Sequence, residues 1–145
     1  MKKILMLLPL AALALGACDK KCPNANEAEI AALFDRWNAS LATLDPQKVT
    51  ENYTSDAVLL ATVENAPRLT TKDRIAYFTE FLKLKPQGVI DSRTIKINCD
   101  TAMDMGVYTF TLGDGSKVQA RYTYTYKWNG TDWKISHHHS SKMPN

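Results

Sequence analysis

Apolar residues recur first at helical spacing and later at alternate positions, and the change falls near Gly88. Asn26 with Glu29 reads as a helix cap and its partner three residues on. Ile30, Leu33, Phe34, Trp37, Leu41 and Leu44 then form one stripe of a long amphipathic helix. Asp45-Pro46 restarts a second, shorter helix carrying Val49 and Tyr53, with the aspartate as cap and proline in the first turn. Ala57 to Thr62 predicts a short apolar strand. Thr70 and Asp73 cap a third helix bearing Ile75, Tyr77, Phe78, Phe81 and Leu82; Lys83, Lys85 and Pro86 end it.

Beyond Gly88 the period is two. Val89 to Asn98 and Thr101 to Leu112 predict strands joined to a third, Lys117 to Trp128, through the turn Gly113-Asp114-Gly115. Asn129-Gly130 is a hairpin signal leading to a last strand from Trp133 to about Ser140. Helices first and an antiparallel meander afterwards mean an α+β fold, with N-terminal helices packed on one face of a curved antiparallel sheet. Such a sheet, bent round a long helix, encloses a cone-shaped hollow where a small molecule would sit.

The opening segment does not fit this pattern. Lys2-Lys3 precede an apolar run from Ile4 to Leu15, shorter than the roughly 20 residues a membrane-spanning helix needs. Leu15-Gly16-Ala17-Cys18 has the form of a lipobox, in which the cysteine is acylated and the chain is cut before it. The alternative is an ordinary cut after Ala14, giving a soluble secreted protein. The expected organisation is a signal peptide over 1–17, a tether over 18–26 and a single domain over 27–145, lipid-anchored in the bacterial periplasm or at the cell surface. Its contact with the membrane is through the anchor alone.

The leader also changes the charge argument. The chain has 18 basic and 15 acidic residues, and taking away Lys2 and Lys3 leaves 16 against 15. No basic stripe remains, which argues against nucleic-acid binding. With Cys18 acylated, Cys22 and Cys99 are left in an oxidising compartment, and a bridge between them is expected. It would close a loop of roughly 76 residues and contribute roughly 4 kcal/mol in the chain-entropy picture.

Candidate chemistry lies on the last two strands. Alternation puts Ala120, Tyr122, Tyr124, Tyr126 and Trp128 on one face of the third strand, and Gln119, Arg121, Thr123, Thr125 and Lys127 on the other. Either the aromatic face is core and the polar face solvated, or the aromatic face is a subunit interface and Arg121 looks into the hollow. On the last strand, unbroken alternation places His137 and His139 with Trp133 and Ile135, facing inward. They could be hydrogen-bonded core histidines, a ligand-binding or acid–base pair, or two ligands of a metal. No further cysteine or carboxylate has the spacing to close a metal site. No nucleophile elbow, phosphate loop, dinucleotide fingerprint or Cys-x-x-Cys is present, and no cofactor is expected.

The local words resemble a known family. Trp37, Leu44-Asp45-Pro46, Tyr53, Asp56 to Leu60, Arg68, Ile75 to Phe78, Ala120 to Thr123 and above all Trp133-Lys-Ile-Ser-His-His-His-Ser-Ser-Lys-Met-Pro144 carry the likeness. They resemble bacterial SnoaL-like proteins, the association domain of calcium/calmodulin-dependent protein kinase II and the SgcJ/EcaC group, within the nuclear-transport-factor-two-like superfamily. The resemblance covers residues 27–144. It implies a cone-shaped, cystatin-like fold that forms homodimers or larger homo-oligomers through its sheet. It also implies a cavity in which Arg121, Thr123, His137 and His139 would bind a small polar or anionic ligand, with Trp37 and Tyr53 as lining. The expected function is a non-enzymatic, oligomeric binding or scaffold module. The alternative is a cyclase- or isomerase-type enzyme with a histidine as acid–base group; no catalytic residue is assigned.

Overall fold

The computed structural model describes residues 22–62 and 64–144. The expected leader and the lipobox around Cys18 lie outside these residues. Three helices, α1 (Glu27–Leu41), α2 (Pro46–Thr50) and α3 (Thr71–Phe81), accompany five strands: β1 (Tyr53–Leu60), β2 (Gln87–Ile97), β3 (Thr101–Thr111), β4 (Lys117–Trp128) and β5 (Trp133–Lys142). The expected caps are in place. Asn26 and Glu29 form a reciprocal capping box on α1, as do Thr70 and Asp73 on α3, and Asp45 caps α2.

Two helix expectations need correction. Leu44 does not extend the α1 stripe: the helix ends at Leu41, and Leu44 adopts a left-handed φ of 56° and is 51% exposed. Tyr53 is not on α2 but is the first residue of β1. Buried Asn52 stops the helix, its side-chain amide donating to the carbonyls of Lys48 and Val49.

The sheet runs β1-β5-β4-β3-β2 and is antiparallel except where β1 lies parallel to β5. Two bulges bend it. One places Asp91 as an extra residue between Ile90 and Ser92. There β2 passes so close to β3 that a Cβ on Gly106 would lie 2.0 Å from the Ser92 carbonyl oxygen, which only glycine allows. The other bulge is at Ser136, between Ile135 opposite Tyr126 and His137 opposite Thr125.

The concave face is filled by the α1 stripe and the aromatic face of β4. Ile30, Phe34, Trp37 and Leu41 are buried against Tyr122, Tyr124 and Tyr126. The ring of Phe34 stacks on Tyr122 at 6.4 Å and that of Trp37 packs on Tyr124 at 5.7 Å. Of the two readings of the aromatic face, core is therefore correct, and it offers no subunit interface. The cystine Cys22–Cys99 is formed, pinning the segment before α1 to the β2–β3 connection. Among the described residues no helix is long and apolar enough to cross a membrane.

Candidate functional site

A cavity of about 340 Å³ opens between α3 and the concave face of the sheet. Its walls are Trp37, Phe78, Phe81 and Phe110, and exposed Glu64, Glu80 and Leu84 stand at its rim. The walls follow from two periodicities. Phe78 and Phe81 project from one face of α3, while Tyr108 and Phe110 are alternate residues of β3.

Two polar groups of its lining, His138 and Ser140, come from β5. The extra residue Ser136 reverses the phase of the strand. Trp133 and Ile135 face inward before it, and His138 and Ser140 face inward after it. This corrects the placement of the histidines: His137 and His139 lie on the outer face, and His138 enters the cavity wall. Arg121 likewise does not reach the hollow. It pairs across the strands with Ser141, and Thr123 pairs with His139. Arg121, Thr123, His139 and Ser141 thus come together, but around a shallow depression on the convex face. A guanidinium there cannot neutralise an anion inside the cone. Trp37 lines the cavity; Tyr53, expected in the lining too, is not part of it but is bonded to His138 Nδ1.

His138 is 4% exposed and held on three sides. Its ring stacks on Tyr124 at 4.1 Å and meets the edge of Trp37 at 5.5 Å. Its Nδ1 lies 2.9 Å from the Tyr53 hydroxyl, which in turn accepts a hydrogen bond from Trp37 Nε1 at 3.0 Å. The remaining ring nitrogen, Nε2, is buried without a partner. Burial, reinforced by the neighbouring His137 and His139, pushes the His138 pKa down to about 3, so the ring is neutral at pH 7. Burial also raises the Tyr53 hydroxyl well above the usual phenol range. Beside His138 runs a hydroxyl chain: Tyr108 donates to Ser140 at 2.6 Å, and Ser140 is joined to Thr62.

Two buried charges support this site without lining it. Arg74 is fully buried and donates to the carbonyls of Ala57, Thr54 and Ser55, with its guanidinium over the Tyr53 ring at 5.7 Å. It thereby fixes the start of β1, and with it Tyr53. Asp104, also fully buried, accepts from the Tyr122 hydroxyl at 2.8 Å and is paired with Arg93 at 3.0 Å. His138, Ser140, Tyr108, Thr62, Arg74 and Asp104 were not singled out from sequence. Alternation along β3 does place Asp104 on the face of Ala102, Tyr108 and Phe110, and this was a usable signal. Among the described residues no three histidine, cysteine or carboxylate side chains gather as a metal site.

The family description "calcium/calmodulin dependent protein kinase II association domain" matches residues 26–144. Among solved structures, a protein of that same description from Xanthomonas campestris is 49% identical, with a TM-score of 0.79 over 86% of this chain and 93% of its own. An NTF2-like protein of unknown function from Pseudomonas putida shares 19% identity at a TM-score of 0.74, covering 86% of this chain and 91% of its own. A protein of the NTF2-like family from Streptomyces avermitilis, provisionally named a dehydratase, shares 10% identity at a TM-score of 0.74, covering 85% of this chain and all of its own. The last two likenesses show the fold alone. No curated protein matches the chain in sequence. The helices packed on a bent sheet and the match along nearly the whole described domain together make this chain a member of the calcium/calmodulin-dependent protein kinase II association domain family, with the NTF2-like, cystatin-like fold.

Proposed function

We propose that the chain is a non-enzymatic, homo-oligomeric module that binds a small, largely apolar molecule in the cone. The observation that carries this reading is the aromatic-walled cavity with His138 in its lining, a ring whose Nε2 is buried without a protein partner. A histidine whose pKa is pushed down to about 3 is a feeble base at pH 7, and no carboxylate hydrogen-bonds it to raise its basicity. Both properties suit recognition better than proton transfer.

One observation favours an enzyme instead. Tyr53 and His138 form a strongly perturbed titratable pair within hydrogen-bond reach beside an open cavity. The opposed shifts, however, hold both partners neutral. Native mass spectrometry of the protein purified from its source tests the choice. A retained, chemically intact ligand supports binding; a retained ligand turned over by the purified protein in proportion to its concentration would establish catalysis.

The family's description as an association domain supports self-assembly. The convex face, with half-buried Met103, Met105, Val107, Thr123 and Thr125, is the surface that serves it. A mature domain that sediments as a monomer at micromolar concentration would remove that part. Export and lipid anchoring rest on the lipobox: Cys18→Ala should release the protein from membranes, and unchanged fractionation would count against the anchor.

A further inference from the structure

We infer that the cavity selects an uncharged aromatic carbonyl compound, a ketone, aldehyde or quinone, whose oxygen accepts a hydrogen bond from His138 Nε2–H. This rests on the binding reading above and adds the ligand's chemistry to it.

Proton counting along the buried relay fixes the tautomer. Trp37 Nε1 can only donate, so the Tyr53 oxygen accepts from it. Tyr53 has one proton of its own, and His138 Nδ1 is the remaining group it is bonded to. If Nδ1 carried a hydrogen, Tyr53 would accept twice and its own proton would be stranded in a buried site. Such a stranded donor disfavours that arrangement roughly 10- to 100-fold. Tyr53 therefore donates to Nδ1, and the histidine's hydrogen sits on Nε2. The stacked Tyr124 and the edge of Trp37 fix the plane of the ring, and the Tyr53 hydroxyl sets which of its edges faces β1.

The hydroxyl chain points the same way. Tyr108, Ser140 and Thr62 have three protons and two hydrogen bonds among them, so one hydroxyl hydrogen is left for a ligand. That hydrogen adds a second donor to Nε2–H, and a ligand oxygen can accept from either.

Charge decides between acceptors. No cationic side chain lines the cavity, and its two carboxylates, Glu64 and Glu80, stand at the rim. A buried carboxylate ligand would have no counter-charge among the lining residues. A cationic ligand fares no better: no carboxylate lies inside the cavity, and at the rim Glu64 is paired with Arg68 and Glu80 with Lys83. The walls of Trp37, Phe78, Phe81 and Phe110 favour a flat ring.

Three probes of matched shape test this: 2-acetylnaphthalene (neutral acceptor), 2-ethylnaphthalene (no acceptor) and 2-naphthoate (anionic acceptor), titrated calorimetrically into the folded domain at pH 7. The ketone should bind about tenfold tighter than the hydrocarbon, the yield of one buried hydrogen bond, and the carboxylate should bind most weakly. His138→Phe should remove the gap between the ketone and the hydrocarbon. Without any variant, ring ¹H–¹⁵N correlations of the ligand-free protein should show the His138 hydrogen on Nε2. Equal affinity for ketone and hydrocarbon would overturn the carbonyl assignment while leaving apolar binding intact. Tightest binding of the naphthoate, or a hydrogen found on Nδ1, would also overturn it. Failure of all three probes to bind would take the binding reading down as well.

Discussion

Tyr53 and His138 stand 85 residues apart in the chain, on the parallel pair β1 and β5, and meet at 2.9 Å through a hydroxyl and a ring nitrogen. Trp37 on α1 completes the contact, so one buried relay ties the long helix to both edge-side strands. Tyr53→Phe should therefore cost more than a surface hydroxyl would. It strands Trp37 Nε1 and His138 Nδ1 in a buried site, an expected loss of about 1–3 kcal/mol. Urea unfolding at pH 7 checks the value. A loss below about 0.5 kcal/mol would mean that water reaches the relay.

The same histidine should make the fold sensitive to acid. Its folded pKa of about 3 lies below the usual 6.5, so between these values the unfolded chain holds the extra proton. The stability that His138 gives is complete above about pH 6.5 and is lost as pH falls towards 3, at up to about 1.4 kcal/mol per pH unit. Burial also lowers the His137 pKa, so that ring acts in the same direction. Asp104 acts against the trend: burial raises its carboxyl, so the folded state takes up that proton first as pH falls. Unfolding midpoints at pH 7, 6 and 5 should fall steadily in the parent and stay nearly level in His138→Asn, which keeps an acceptor for Tyr53 without a titrating ring.

Much of this architecture was legible in the chain, and the exceptions have local causes. Capping residues and alternate apolar positions marked every helix and strand, because Asn26, Thr70 and the tyrosines of β4 each act within a few residues of themselves. Which histidine enters the cavity was not legible. Three consecutive histidines fit either phase of a strand, and the choice is made by the bulge at Ser136, where the sheet bends. The displacement of Arg121 to the convex face follows from the burial of Tyr122, Tyr124 and Tyr126, which alternation allowed but could not choose. Tyr53 looked helical because the stop at Asn52 depends on side-chain bonds back into α2.

The buried Asp104–Arg93 pair offers a test independent of the cavity. Arg93→Met would leave a fully buried carboxylate with Tyr122 alone. Breaking such a pair costs about 3–5 kcal/mol when both partners are buried. Arg93 is 24% exposed, which reduces the expected loss to about 2–4 kcal/mol. Asp104→Asn in the same background should recover most of it, since the desolvated charge is then gone. If the double variant is no more stable than Arg93→Met, the loss comes from Arg93 packing over Phe34, where its guanidinium lies 5.9 Å from the ring centre.

Reduction of the Cys22–Cys99 bridge should weaken the fold and leave the cavity's affinity alone. The bridge spans 77 positions, so opening it frees a long loop in the unfolded chain, an effect of about 4 kcal/mol. Its place in the fold predicts the second half. β3 starts at Thr101, beside Cys99, and ends at Thr111, next to Leu112 in the cavity lining. Eleven residues at about 3.3 Å each separate the two ends by roughly 30 Å. Dithiothreitol should therefore lower the urea midpoint of the parent but not that of Cys22→Ala/Cys99→Ala. The affinity for 2-acetylnaphthalene should match in oxidised and reduced protein wherever both are folded. A reduced protein that is as stable as the oxidised one would show that the bridge restrains only the segment before α1. A drop in affinity on reduction would show that loosening one pole of the sheet reaches the other, through the tyrosines of β4.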